Sequence, residues 1–336
     1  MGLTHAENLH SRVRGAVLVA VTTSSAERAA EVRRRCGAVS VYDDLDALLQ
    51  AESLDAVVIA SSTSAHVANV EDCASAGLHI LCEKPLGLSL EECDRAGAAA
   101  RAADVKLMLG HTRRFDSGYI EAKRVIDAGG IGQPVLYRSI SGDMNPPPVA
   151  FADLEVSGGL ILDSMYHDIY LGQWLLEDEI VRVYGEGGAL IDPSIATVGD
   201  VDNAVVSVRF AGGAMGSLTA SRTSRHGHDL RGEVIGDEGA VQLGRLRRTP
   251  IRVLDRRGAH HDAVHTTPER MGEAFVPMLQ LFVVCVVDDT PPPVKDREGA
   301  ATLAEALAGR RSIPSGLPVE VRKSPAGWPS GVTGRL

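Results

Sequence analysis

A lysine at the end of an apolar run, and an aspartate and a histidine four residues apart, are the side chains of this 336-residue chain whose types and spacing best suit chemistry. Lys84 follows the run from His79 to Cys82 and is followed at once by Pro85, which holds it on a stiff turn. An ammonium there can hydrogen-bond a substrate hydroxyl and stabilise a developing alkoxide. The plain alternative is a surface lysine after a strand. Asp163 and His167 share one face if residues 159–176 are helical. A carboxylate beside an imidazole orients the ring and fixes its tautomer, as a general base needs to take a hydroxyl proton while hydride leaves. The alternative here is a structural i,i+4 pair. A third cluster, Gly110 to Asp116, offers Arg113 and Arg114 as anchors for hydroxyls or phosphate. Equally, one of them pairs with Asp116.

These residues need elements to hold them. Short, wholly apolar runs at 16–21, 39–42, 56–60, 79–82 and 106–110 alternate with helical stretches at 26–36, 45–50, 65–76 and 89–103. The last of these begins with the capping-box pattern Ser89-x-x-Glu92. Such alternation predicts a doubly wound parallel sheet covered on both faces, with ligands beyond the C-terminal strand ends. Past residue 120 the pattern changes. Met144 to Pro148 is too proline-rich for regular structure. Runs at 134–142, 181–187, 203–210, 214–222, 231–236, 240–243 and 251–255 predict an antiparallel sheet, with helices at 159–176, 271–287 and 298–312. The expected organisation is an α/β dinucleotide-binding domain over 1–115 and an α+β domain over 116–336 for substrate binding and oligomerisation.

Composition narrows the classes. A net charge of −10 argues against nucleic acid as the main partner, and the basic runs Arg33–Arg35 and Arg245–Arg248 read as solvated surface. Five scattered cysteines without CxxC spacing suggest reduced thiols and no metal knuckle. No apolar stretch is expected to span a membrane and the first residues have no signal-peptide core, so the expected location is the cytoplasm. The histidines at 260, 261 and 265 read as surface, those at 226 and 228 as bordering a pocket. No metal is required.

Taken in order, Glu83-Lys84-Pro85, Arg113-Arg114-Phe115-Asp116, and Gly158-Gly159 followed by Asp163-x-x-x-His167-Asp168 resemble the Gfo/Idh/MocA family of NAD(P)-dependent oxidoreductases. The likeness is nearest to its inositol 2-dehydrogenase branch and covers essentially the whole chain; 143–148, 190–202 and 221–239 share in it. The resemblance implies a Rossmann-type sheet followed by an open, mainly antiparallel one. It implies that Lys84 holds the reacting hydroxyl, His167 is the acid/base, and Asp163 orients both. It further implies cofactor contacts from Gly2, Ser61, Ser62, Thr63, Glu83, Lys84 and Arg113. Substrate contacts fall to Lys84, Arg113, Asn145, Asp163 and His167, with Asp143 and the Tyr166 region lining the pocket. The expected partners are a small polyol or sugar and further copies of the chain, as a homodimer or homotetramer built through the second sheet.

Two departures accompany the likeness. Gly2-Leu3-Thr4-His5-Ala6 matches only the tail of the family's strand and G-x-G-x-x-G-x-x-H-A motif, Gly2 standing as the third glycine. The first, central strand and two glycines have no counterpart, which leaves a slot in the sheet. Either the reading begins at an internal Met, or the chain binds its cofactor weakly. The second departure is at the adenosine end. The strand from Leu18 closes on Thr22-Thr23-Ser24-Ser25, without the carboxylate that would bind the ribose diol of NAD. Thr23 and Ser24, with Arg28 one turn on, suit a 2′-phosphate, so NAD and NADP both stand; Ser24 or Ser25 can equally cap the next helix. The function expected is hydride transfer from a secondary hydroxyl of a cyclitol or sugar. The alternatives are a non-catalytic binding or scaffold protein and a keto-sugar or aldose reductase.

Overall fold

Local signals decide the first elements. Residues 1–244, 247–249, 251–256 and 258–321 are described by the computed structural model. Chain order begins α1 (Gly2–Ser11), β1 (Ala20–Thr22), α2 (Ala26–Cys36), β2 (Ser40–Tyr42), α3 (Leu45–Ala51), β3 (Ala56–Ile59), α4 (Thr63–Ser75), β4 (His79–Glu83), α5 (Leu90–Ala102) and β5 (Leu107–Gly110). Side chains start three of the helices. The Ser25 hydroxyl accepts from Arg28 N, the Asp44 carboxylate from Ala47 N, and Ser89 with Glu92 forms the expected capping box.

The strands are parallel and fall into two ladders, β1–β2 and β3–β4–β5. No ladder joins β1 to β3 among the described residues. The apolar run 16–21 is shorter as a strand than expected. Only Ala20, Val21 and Thr22 find partners, in the three-residue β2, and Val17 lies exposed. Leu3, Ala6, Leu18, Val21, Val32, Cys36, Val39 and Val41 pack together beneath α1 and α2.

Two compact units emerge: Met1–Thr112 with Glu273–Ala300, and Arg113–Gly272 with the chain from Ala301. The expected second domain over 116–336 thus contributes residues to both units. Residues 273–300 return to the first unit because specific bonds hold them there. Leu109 N donates to Val294 O at 3.1 Å, Arg12 pairs with Glu273 at 2.7 Å, and Lys106 pairs with Asp289 at 2.7 Å.

The second unit contains α6 (Ser117–Asp127), β6 (Pro134–Gly142), α7 (Val149–Ala152), α8 (Tyr166–Leu176), β7 (Ile180–Gly188), β8 (Asn203–Phe210), β9 (Met215–Ser221), β10 (Asp229–Gly236), β11 (Ala240–Gly244), β12 (Val253–Asp255) and β13 (Gly258–His260). Two long helices follow, α9 (Thr267–Val287) and α10 (Asp296–Ser315), each crossing between the segments of the two units, and then β14 (Val319–Glu320). The main sheet has the order β11-β10-β6-β9-β8-β7-β14. It is antiparallel apart from β6 and β9, which run parallel. The run at 251–255 does not join this sheet. Its residues 253–255 pair with β13 as a separate hairpin, the nearest available edge being three residues away.

One face of the sheet is core. Tyr137, Val206, Phe210, Leu218 and Val234 are buried, and α8 lies close above: a Cβ at Gly172 would stand 2.8 Å from the Tyr137 ring. The opposite face keeps Ile140, Val205 and Met215 exposed.

The expectation that nothing reaches membrane-span length needs amending: α9 is long and apolar enough by length and composition. Its buried residues Met271, Ala274, Phe275, Met278, Leu279, Phe282 and Cys285 nevertheless recur at helical spacing, the stripe of an amphipathic core helix. The five cysteines are buried free thiols. Arg33, Arg34, Arg35, Arg247 and Arg248 are exposed; Arg245 lies outside the described residues.

Candidate functional site

In the first unit, the segment from Ile80 to Gly87 is buried except at Lys84. Strand β4 is paired at both edges and buried from Ile80 to Glu83, and the chain then leaves the sheet through Lys84 and Pro85, joined by a cis peptide bond. Glu83 braces this exit. Its Oε1 lies 2.7 Å from His5 Nε2 on α1, and its Oε2 accepts from Lys84 N at 3.3 Å. The His5 ring stands edge-on to Phe275, centroids 5.4 Å apart. Burial would raise the Glu83 carboxyl, but the hydrogen bond from His5 and the nearby charges of His5 and Lys84 hold it below its usual value. Glu83 is thus a buried brace behind Lys84, held by His5 and by the Lys84 backbone N–H.

The same unit suits a dinucleotide's pyrophosphate. Neither α1 nor α4 has a side-chain cap, so the first N–H groups of both helices are left without a capping acceptor. The two starts converge: a Cβ on Gly2 would lie 3.9 Å from that of Ala60, one residue before the exposed Ser61 and Ser62, with Thr63 opening α4. Helix N-termini meeting beyond a parallel strand are an anion-binding arrangement. The strand end at Thr22 is less free than its hydroxyls suggest. Thr23 Oγ1 accepts from Ser25 N at 3.3 Å and Ser25 caps α2, while Ser24 and Arg28 are exposed.

In the second unit, every residue from Ser157 to Gln173 is buried except Asp163 and His167. They do not sit on one uniform helix, as the sequence suggested. Residues Ile161–Met165 form a π-helical turn that runs into α8. A widened turn of this kind occurs often at functional sites. Its start is fixed by Gly158 and Gly159, both at positive φ, where a Cβ on Gly159 would meet Asp200 Oδ1 at 2.4 Å. Both Asp200 oxygens accept from Leu160 N, at 3.0 and 3.1 Å. The carboxylate therefore caps this turn from the side that only glycine leaves open.

Around this turn lie Asp143 and His228, both expected from the sequence to border a pocket, and Ser164, which the sequence did not single out. Ser164 donates to Asp143 Oδ2 at 3.0 Å, and His228 Nδ1 lies 3.2 Å from Asp143 Oδ1. Burial would raise Asp143, but His228 and Ser164 hold it below its usual value. His228 is buried with Thr267 Oγ1 3.3 Å from its Nε2, whereas His226 is exposed beside Asp229. Asn145 is exposed in the loop before α7.

Arg113, an expected cofactor and substrate contact, lies inside the second unit. It is buried, donating to Ser141 Oγ at 2.7 Å and to Asp168 Oδ1 at 3.1 Å. Asp168 also accepts from Ser139 and Ser141, and burial pushes its carboxyl up despite Arg113. Arg114 donates to Tyr170 at 2.6 Å and lies over Trp174. Asp116 pairs with Arg270 at 2.8 Å.

Known proteins give this geometry its context. The family model described as an oxidoreductase family with an NAD-binding Rossmann fold matches residues 1–111, and the GFO/IDH/MocA C-terminal domain model matches residues 119–242. The chain is 38% identical to scyllo-inositol 2-dehydrogenase (NAD(+)) of Bacillus subtilis, covering 96% of this chain and 93% of that protein. It is 34% identical to myo-inositol 2-dehydrogenase of Thermotoga maritima, with 93% of each covered. A crystal structure of scyllo-inositol dehydrogenase from Lactobacillus casei, with bound NAD(H) and scyllo-inositol, superposes with a TM-score of 0.88 at 29% identity over 95% of both chains. With both family models in sequence order and these relatives along nearly its whole length, the chain belongs to the Gfo/Idh/MocA family of oxidoreductases.

Proposed function

We propose that this protein oxidises one secondary hydroxyl of a cyclitol, an inositol first, with NAD. The observation that carries the reading is the pattern of exposure. Lys84, Asp163 and His167 are the accessible members of two otherwise buried stretches, and all three are polar. Core packing does not ask for such residues there; proton and hydroxyl chemistry does.

NAD, when bound, supplies the hydride acceptor. The rest is the work of this chain's residues. Lys84 donates to the reacting hydroxyl and stabilises the negative charge that develops on its oxygen. His167 accepts the hydroxyl proton. Asp163 holds a neighbouring hydroxyl and the imidazole in place. Gly2, Ser61, Ser62 and Thr63 take the pyrophosphate through the uncapped starts of α1 and α4. Relatives named for NAD favour the unphosphorylated cofactor. Steady-state turnover with myo- and scyllo-inositol and a set of aldoses, each with NAD and NADP, tests this. Inositol with NAD should give kcat/KM at least about 10-fold above every other combination, a margin of ~1.4 kcal/mol. An aldose in first place would favour the sugar-dehydrogenase alternative instead.

We further propose that the exposed face of the main sheet pairs with a second copy. Across it, Val205, Thr219 and Ile140 occupy neighbouring register positions, flanked by Glu186 and Arg231. An apolar strip with charged margins suits a self-complementary interface. Light scattering should give the mass of a dimer or tetramer for the parent protein and of one chain for an Ile140→Asp, Val205→Asp double variant. A monomeric parent protein at micromolar concentration would refute the pairing.

A further inference from the structure

Arg222 follows β9 and is wholly enclosed by protein. Its backbone N donates to Asp202 O at 2.8 Å, fixing where the side chain starts. Its Nη1 donates to Asp200. Its Nη2 stands 3.8 Å from Asp163 Oδ2, and neither Nη2 nor Nε makes a hydrogen bond.

A buried cation is costly unless it is paired and its donors are satisfied. Asp200 supplies one partner but leaves two guanidinium nitrogens unbonded, so anchoring the fold does not account for this arginine. Its second carboxylate neighbour is the partly exposed Asp163. Asp200 also holds Leu160 N at the start of the π turn. One buried unit, Arg222 with Asp200, therefore grips the turn at its start through the backbone and faces Asp163 three residues later through charge.

We propose that Arg222 is a positioning residue that acts through Asp163, holding that carboxylate where it must meet the substrate. The inference rests on the cyclitol reading for its turnover readout. It differs from a structural role in one respect: most of what removing Arg222 costs catalysis is lost when Asp163 is no longer present to be held.

The test is a double-mutant cycle on kcat for inositol oxidation, with Arg222→Gln, Asp163→Asn and the pair, NADH affinity serving as the check on folding. Arg222→Gln should lower kcat by about 100-fold, the scale of a small misplacement of a reacting group. In the Asp163→Asn background the same change should cost less than about threefold, because contacting residues are non-additive. A full, additive loss in that background overturns the proposal, as does wild-type kcat in Arg222→Gln. If Arg222→Gln does not fold, Arg222→Lys, which keeps the charge, is carried through the same cycle. A second readout is independent of turnover: the Arg222 Nε–H resonance should move in Asp163→Asn. An absence of inositol turnover with that movement present would sink the cyclitol reading and leave the positioning role standing. No movement would remove the role itself.

Discussion

Replacing His167 by Ala is expected to lower kcat for inositol oxidation by about 10³-fold, within the usual range for loss of a general base. The argument starts from placement. His167 lies at the beginning of α8, two residues past the π turn, accessible in a stretch whose other members, Asp163 apart, are buried. Without the imidazole, the hydroxyl must lose its proton to water while the C–H bond breaks. KM should change far less than kcat, because the polyol keeps its other contacts. NADH affinity should be unchanged, because the proposed pyrophosphate contacts lie in the first unit and His167 in the second. The deficit should shrink as pH rises, since hydroxide then takes over the proton transfer. Pre-steady-state turnover of the variant across pH checks all three. A kcat within about threefold of the parent would exclude His167 as the base.

Replacing Lys84 by Ala is expected to lower kcat by about 10²–10³-fold, the effect of removing one donor from a developing oxyanion. The position is built for this. Strand β4 is paired on both sides, Glu83 is gripped by His5, and the Glu83 carboxylate accepts from the Lys84 backbone N–H. The ammonium is thus carried by a braced segment, at the end of the strand where open α/β sheets place their ligands. Because the lost interaction strengthens as the alkoxide forms, the variant should show chemistry as its slow step. The primary isotope effect on a deuterated carbinol should therefore rise in Lys84→Ala relative to the parent. An unchanged isotope effect with unchanged kcat would leave Lys84 as a surface residue.

What could be read from the sequence was what lies within one turn or one strand. The capping box at Ser89 and Glu92 is local, and the structure contains it. Strands β3, β4, β6 and β8 follow from apolar runs or alternation and appear within a residue or so of their expected ends. The π turn was not legible, because five residues of wider winding leave the same hydrophobic pattern as an α-helix. The partner of Arg113 was not legible, because Asp168 is 55 positions away. Arg222 and Asp200 were missed for the same reason: they lie 22 positions apart on segments brought together only by the sheet. The one local clue was the pair Gly158-Gly159, whose need for bare backbone is explained by the Asp200 carboxylate.

If this chain moves hydride from a cyclitol carbon to NAD, inositol deuterated at the reacting carbon must label the reduced cofactor. Mass spectrometry of that cofactor after incubation should find one deuterium on the nicotinamide ring for each cyclitol oxidised, with none in water. Reduced cofactor without the label, or no reduced cofactor while the protein remains folded and binds NADH, would contradict that transfer.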